Sequence, residues 1–390
     1  MAFVQYLQNV EPTLKHLECD GVGYEILSHK NKVFNFLIKD LKTPAAHILK
    51  QEALAVGADF ALPRDAILYT REYYSGILML TRSQSKALLK KLRMQPFGLK
   101  KIAQDLESHL RCCSARQKIM GILNVTPDSF YDKSRKNFKE AELEIFAMIE
   151  SGVDMIDIGA ASTRPGSAWV SEEEEHSRLK WILEFIKSEK IASKVALSID
   201  TYTPSVAKKC LEYGFSVVND ITGFSNAKML EAVRGYDCEC IVMHMQGNPT
   251  QMQENPAYKD LFLEVDRFFA DRIAALVAQN NTKIILDVGI GFGKTLAHNC
   301  ALMQHLGHFL HFGYPLLVGA SRKSMIDKII PCAIEERLPG TLAIHLEALK
   351  NGASIIRCHD VKEHIQALQV WKAMQCVDLE RLEGGDDWSQ

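Results

Sequence analysis

Residues 118–130, KIMGILNVTPDSF, contain the stretch that decides the fold. Ile119 to Leu123 is a short apolar run that ends on the polar Asn124. The same arrangement returns at Met155–Ile158, Val195–Ile199, Ser216–Val218, Cys240–Met243, Ile284–Leu286, Leu316–Val318 and Ser354–Ile356. Longer amphipathic stretches separate these runs. Glu140 to Glu150 stops at Ser151-Gly152, Pro204 to Glu212 stops before Gly214, and Pro256 to Ala278 is long. Short apolar runs alternating with helical periodicity predict β/α units and a parallel sheet. Eight units within about 260 residues match the size of a (β/α)₈ TIM barrel, an α/β fold whose chemistry sits where strands end.

Polar groups fall at those ends. Asn124 follows the first run, Ser162-Thr163-Arg164-Pro165-Gly166 the second, Asp200 the third and Asn219-Asp220 the fourth. Met243-His244 closes the fifth, Asp287 precedes GIGFGK, Gly319–Ser324 follows the seventh, and Arg357, Cys358, His359 and Asp360 follow the eighth. A purely structural barrel has no use for such a ring.

Residues 1–115 read differently, as a small α+β accessory domain preceding a barrel domain over 116–390. Strand-like runs at Gly23–Ile26, Val33–Ile38 and Gly76–Leu80 mix with helical stretches at His47–Val56, Ser83–Arg93 and Leu99–Arg111. Gly57 is a helix stop. No catalytic constellation occurs there, and Lys86, Lys90 and Lys91 read as a solvated helix face. Ser171 with Glu174 has capping-box spacing, so the acidic run Glu172–Glu175 reads as a solvated helix start.

Lys plus Arg number 46 against 48 Asp plus Glu, a net charge of −2, so no long-range basic field gathers nucleic acid or membrane. No run approaches the roughly 18 apolar residues of a membrane span, and the N-terminus lacks a signal-peptide pattern. The ten cysteines include no CxxC, and they read as core residues in a reducing cytoplasm.

ILNVTPDSF, STRPG, SIDTY, VNDITG, MHMQG, LDVGIGFGK, GASRKS and RCHDV stand in this order, and each is similar to a motif of the dihydropteroate synthases. The resemblance covers Lys118 to about Met374. QPFGLK also looks like part of an extension that some members carry. The resemblance implies joining of a pterin diphosphate to p-aminobenzoate, a transferase reaction of folate synthesis and the target of sulfonamides. It further implies a cytoplasmic homodimer that binds small molecules, and it sets the residue roles.

Asp200, Asn219, Met243, Asp287, Phe292, Gly319, Lys323 and Arg357 would surround the pterin. Buried carboxylates and an amide suit an aminopyrimidinone edge of alternating donors and acceptors. Arg357 would lie along a ring face. Asn124, Thr163, Arg164, Arg357 and His359 would hold the diphosphate, with Mg²⁺ at Asn124. Thr163, Pro165, Phe292, Lys323 and Ser324 would hold p-aminobenzoate. Asp200, Lys323, Arg357 and a loop residue, Asp132, would carry the catalysis. Loops 126–136 and 162–170 would close over the site, with Phe130 as an apolar contact. No protein nucleophile is required, in keeping with the absence of GxSxG.

Three positions depart from the family pattern: YDKSR replaces a glycine-rich loop, Ala161 stands where the family has Glu, and Val288 where it has Pro. GIGFGK does not fit a phosphate-binding GxxxxGK[ST] loop and reads as a tight turn. His244 reads as a satisfied core histidine. Two alternatives remain. A pterin-dependent methyltransferase would share the Asp/Asn set but needs no diphosphate site, against STRPG, SRKS and RCHD. A catalytically silent pterin-binding paralogue would have lost Arg164, Arg357 or His359.

Overall fold

A computed structural model describes residues 20–111, 115–125, 135–161, 170–247 and 255–375, with residues 10, 14, 17 and 252 singly. The chain forms two compact units, Met1–Cys112 with Trp371–Gln390, and Cys113–Val370. No described helix is long and apolar enough to cross a membrane.

In the first unit, helix α1 (Gly21–Ser28) is followed by β1 (Val33–Lys42), α2 (Thr43–Ala55), β2 (Asp59–Ala61), β3 (Tyr73–Thr81), α3 (Arg82–Leu92) and α4 (Leu99–His109). The strands form an antiparallel sheet in the order β1-β3-β2. Residues of alternate parity along β3, Tyr74, Leu78 and Leu80, are buried with Leu49, Leu88, Leu92 and Leu99 from the helices. The Gly23–Ile26 run predicted as a strand lies within α1. The Asp20 carboxylate accepts from the Gly23 amide at 2.7 Å, and this N-cap starts a helix where the run was too short to show helical periodicity. Thr81 and Gln84 make the reciprocal capping box that opens α3.

The second unit is a closed barrel of eight parallel strands. They are β4 (Lys118–Asn124), β5 (Met155–Gly159), β6 (Ala196–Asp200), β7 (Val217–Asp220), β8 (Glu239–Met243), β9 (Ile284–Asp287), β10 (Leu316–Val318) and β11 (Ile355–Cys358), and β11 pairs back onto β4. The helices between and after them are α5 (Arg135–Glu150), α6 (Glu172–Ser188), α7 (Pro204–Glu212), α8 (Ala227–Val233), α9 (Leu261–Val277), α10 (Leu296–Gln304), α11 (Ser324–Ile329), α12 (Leu338–Lys350) and α13 (Val361–Gln375). All eight expected runs are strands of this barrel.

One residue from each strand builds the barrel's apolar layer: Met120, Met155, Ala196, Val217, Ile241, Ile285, Leu317 and Ile355. Side chains two apart on a strand share a face, so the next inward residues follow directly. They are Ile122, Asp157, Ser198, Asn219, Met243, Asp287, Gly319 and Arg357. A dry hydrophobic floor thus carries a polar layer at the strand exits.

Ser171 accepts from the Glu174 amide as a cap, yet Glu175 corrects the reading of the acidic run. It is fully buried, and its carboxylate accepts from the Thr201 and Thr203 hydroxyls at 2.6 Å each. Helical phase turns this fourth acid inward, where it braces the turn that follows Asp200.

Candidate active site

Asp157 is the hub of the polar layer. One carboxylate oxygen accepts from Ser198 Oγ at 2.5 Å. The other accepts from Asn219 Nδ2 at 3.1 Å and Arg357 Nε at 2.6 Å. Arg357 extends Nη2 to Asp200 Oδ2 at 2.7 Å. The guanidinium therefore sits in the fork of two carboxylates, which hold it as a cation against the opposing effect of its own burial. Asp157 escaped the sequence reading because it lies inside the apolar run MIDI. Its place two residues past Met155, on the inward face, is the signal that could have found it.

Asp200 keeps its second oxygen, Oδ1, buried and without a hydrogen-bond partner among the described residues. A buried acceptor left open in a polar cavity is costly unless a ligand donor fills it. Burial pushes the Asp200 carboxyl well above the usual range, with Arg357 pulling it down and Asp157, Glu175 and Asp220 pushing it up. Asp287 is raised by burial too, against Lys323 and the Gly289 amide, which donates to its Oδ1 at 2.7 Å. Asp220, the neighbour of Asn219, points the other way and accepts from Thr222 and Phe224 in its own turn.

Lys323 donates to the Ile290 carbonyl, and its Nζ lies 4.3 Å from the centroid of Phe292. Burial lowers its pKa to about 8, against the pull of Asp287. Phe292 is presented by a turn that needs its glycines. Gly289 has φ +66, and a Cβ there would stand 2.0 Å from the His244 carbonyl oxygen. Lys294 folds beneath this turn, 1% exposed. Its Nζ lies 3.0 Å from His244 Nδ1, 3.0 Å from the Gly289 carbonyl and 2.9 Å from the Phe292 carbonyl. GIGFGK is thus a turn pinned from inside by a buried lysine. His244 is the satisfied core histidine expected, with its pKa lowered to about 2 by burial and Lys294.

At the rim, His359 Nδ1 lies 2.9 Å from Ser321 Oγ, joining the β10 and β11 exits. Ser324 is exposed at the first position of α11. Asn124, the last residue of β4, is half-buried beside Gly159 of β5. Gly319 stands where a Cβ would reach Arg357 Cβ at 3.6 Å, leaving the arginine room. The structure therefore gathers Asn124, Asp200, Asn219, Met243, Asp287, Phe292, Gly319, Lys323, Ser324, Arg357 and His359 at one end of the barrel. Phe130, Asp132, Thr163, Arg164 and Pro165 lie outside the described residues.

Paired buried carboxylates beside an amide, with cations nearby, suit a polar heterocycle, the ligand of the pterin-binding class of barrel enzymes. Residues 120–359 match the pterin binding enzyme family, and the chain belongs to that family. Within it, the chain falls among the dihydropteroate synthases. A Helicobacter pylori relative, named a bifunctional dihydropteroate synthase/dihydropteroate reductase, is 46% identical over 366 residues, 94% of this chain and 96% of that one. The Escherichia coli dihydropteroate synthase is 45% identical over 260 residues, 65% of this chain and 90% of that one. Among solved structures, the Yersinia pestis dihydropteroate synthase in complex with a sulfonamide drug superposes with a TM-score of 0.63 at 40% identity. That match covers 67% of this chain and 95% of that one.

Proposed function

We infer that the chain condenses 6-hydroxymethyl-7,8-dihydropterin diphosphate with p-aminobenzoate, giving 7,8-dihydropteroate and diphosphate. The open, buried Oδ1 of Asp200, next to Asn219 and in the same inward layer as Asp287, carries this reading. It is the acceptor that a pterin ring N–H would fill, and a site built this way rejects ligands lacking that donor by up to about 10⁴.

In the reaction we propose, the exocyclic C–O bond breaks first. The pair of electrons leaves with diphosphate, and positive charge spreads into the pterin ring. Asp200 stabilises that charge, and Arg357 and His359 stabilise the leaving anion. The amine of p-aminobenzoate then attacks the methylene carbon and loses a proton to solvent. Lys323 orients the ring carbonyl side, Phe292 walls the second substrate, and Ser324 meets its carboxylate at the start of α11. By the family resemblance, Thr163 and Arg164 would join the diphosphate site, and Thr163 and Pro165 would flank p-aminobenzoate.

Asn124, half-buried at the rim, offers a carboxamide oxygen, the kind of hard donor that suits Mg²⁺. Asn124 would hold the ion, which would neutralise the leaving diphosphate when bound. Chelation should then lower turnover without lowering pterin affinity. Homodimerisation and a cytoplasmic location are further proposals. They rest on the family resemblance and, for location, on free buried thiols such as Cys210 and Cys358.

A second activity has its own support. The relative named for both synthase and reductase is matched over 94% of this chain, and the Escherichia coli relative named for the synthase alone over 65%. We propose that the full chain also reduces the ring C=N bond of dihydropteroate. An external hydride donor, a nicotinamide or reduced flavin, would supply hydride to carbon, and solvent a proton to nitrogen. Consumption of such a donor that depends on dihydropteroate supports this, and none with either donor refutes it.

The test of the main reading is titration of 6-hydroxymethylpterin into wild type and Asp200→Asn. Tight binding that falls about 100-fold in the variant is expected, since the substitution places a donor where the ring presents one. Equal affinities would refute it.

A further inference from the structure

His345 on α12 and His364 on α13 are buried, 2% and 3% exposed, and no part of the reaction above uses them. Their hydrogen bonds fix every proton. The Ala320 amide points at His345 Nε2 at 3.0 Å. An amide N–H can only donate, so Nε2 carries the lone pair and Nδ1 the proton. That Nδ1 lies 2.8 Å from His364 Nε2, which must therefore accept. His364 Nδ1, now the protonated nitrogen, lies 2.6 Å from the Asp360 carbonyl, which can only accept. The result is a one-way chain: Ala320 N–H to His345, His345 to His364, and His364 to Asp360 C=O.

The two ends matter. Ala320 belongs to the β10 exit, between Gly319 and Ser321 and three residues before Lys323. Asp360 belongs to the β11 exit, next to His359 and three residues after Arg357. We propose that His345 and His364 are positioning residues, a proton-ordered imidazole pair that sets the spacing of these exit loops and so brings Ser321 and His359 onto one anionic ligand. The proposal rests on the diphosphate role given above to His359.

Other contacts show the same two segments being tied. Arg322 forks onto the Asp360 carboxylate through Nε and Nη2, and the Arg322 amide donates to Thr341 Oγ1 on α12 at 3.0 Å. The imidazole pair is the inner tie. Ala320 is fully buried, so losing His345 would strand its N–H away from water. Both rings stay neutral. Burial, His364 and Lys323 hold the first well below the ordinary histidine range. Burial lowers the second, while the Asp360 carbonyl, its carboxylate and Glu363 pull the other way.

Imidazole ¹⁵N spectra of the full-length chain test the pairing, with the two rings assigned by their loss in His345→Gln and His364→Gln. Both rings are expected as Nδ1-protonated, Nε2-unprotonated tautomers. An Nε2-protonated or doubly protonated form of either overturns the proposal.

Titration with inorganic diphosphate and, separately, 6-hydroxymethylpterin tests the role. In His345→Leu, diphosphate affinity should fall about tenfold, the equivalent of roughly 1.4 kcal/mol, with pterin affinity within about twofold of wild type. His345→Gln restores an acceptor for Ala320 N–H and should recover most of the loss. Unchanged diphosphate affinity in both variants, or an equal fall for both ligands, contradicts a positioning role. If diphosphate fails to bind wild type, the anion-site reading falls, and the tautomer measurement still decides the pair.

Discussion

Replacing Asp157 should damage stability and substrate binding together, in amounts that the two substitutions separate. In Asp157→Asn the shape survives. The amide oxygen can take Asn219 and Arg357, and the Ser198 hydroxyl can rotate to accept from the new NH₂. What is lost is charge. The bonds with Ser198 and Asn219 become neutral and the Arg357 ion pair becomes a bond charged on one side only, each weaker by about 1 kcal/mol, and relief from burying a carboxylate offsets part of the sum. The net loss should be about 1–2 kcal/mol, a fall of roughly 2–8 °C in Tm for a domain of this size. Asp157→Ala removes the hub. Arg357 keeps Asp200 alone, Ser198 and Asn219 lose their buried acceptor, and the cost should reach about 3–5 kcal/mol. Loosening of Arg357 and Asn219 should lower kcat/KM by about tenfold in the Asn variant. Scanning fluorimetry with pterin titration and steady-state kinetics reads all three quantities. An Asp157→Ala protein as stable and active as wild type would refute the hub. A destabilised Asn variant with unchanged pterin affinity would refute its role in placing the site.

Lys323 titrates near 8 because burial disfavours its charge, so it is cationic below that pH and neutral above it. A pH–rate profile should therefore show kcat/KM declining above about pH 8, and Lys323→Arg should remove that decline at a lower plateau. Lys294→Met should lower stability by about 2–4 kcal/mol, since it strands the carbonyls of His244 and Phe292, and chemical denaturation measures it. Gly289→Ala, which forces a Cβ against the His244 carbonyl, should abolish pterin binding or folding. Gly313→Ala, at φ +81 with nothing near its Cβ, should cost only about 1–2 kcal/mol.

The barrel was legible because the strands write the same short sentence, an apolar run with polar residues at or just after its end. Period-two alternation then fixes which residues face inward, so Asp200, Asn219, Asp287 and Arg357 converge as expected. What the reading missed shares a cause. Asp157 and Glu175 are acids whose function depends on facing inward. One was hidden in an apolar run and the other in an acidic one. His345 and His364 sit on separate helices with no motif between them, and Lys294 looked like the end of a loop. These residues act through contacts distant in sequence, which composition and spacing do not encode. At the family departures, Ala161 and Val288 are buried and their side chains carry no polar group, so Ala161 cannot stand in for the carboxylate it displaces.

Purified full-length chain given 6-hydroxymethyl-7,8-dihydropterin diphosphate, p-aminobenzoate and Mg²⁺ should form dihydropteroate and diphosphate in equal amounts. A folded chain that binds 6-hydroxymethylpterin but forms neither product would contradict the account.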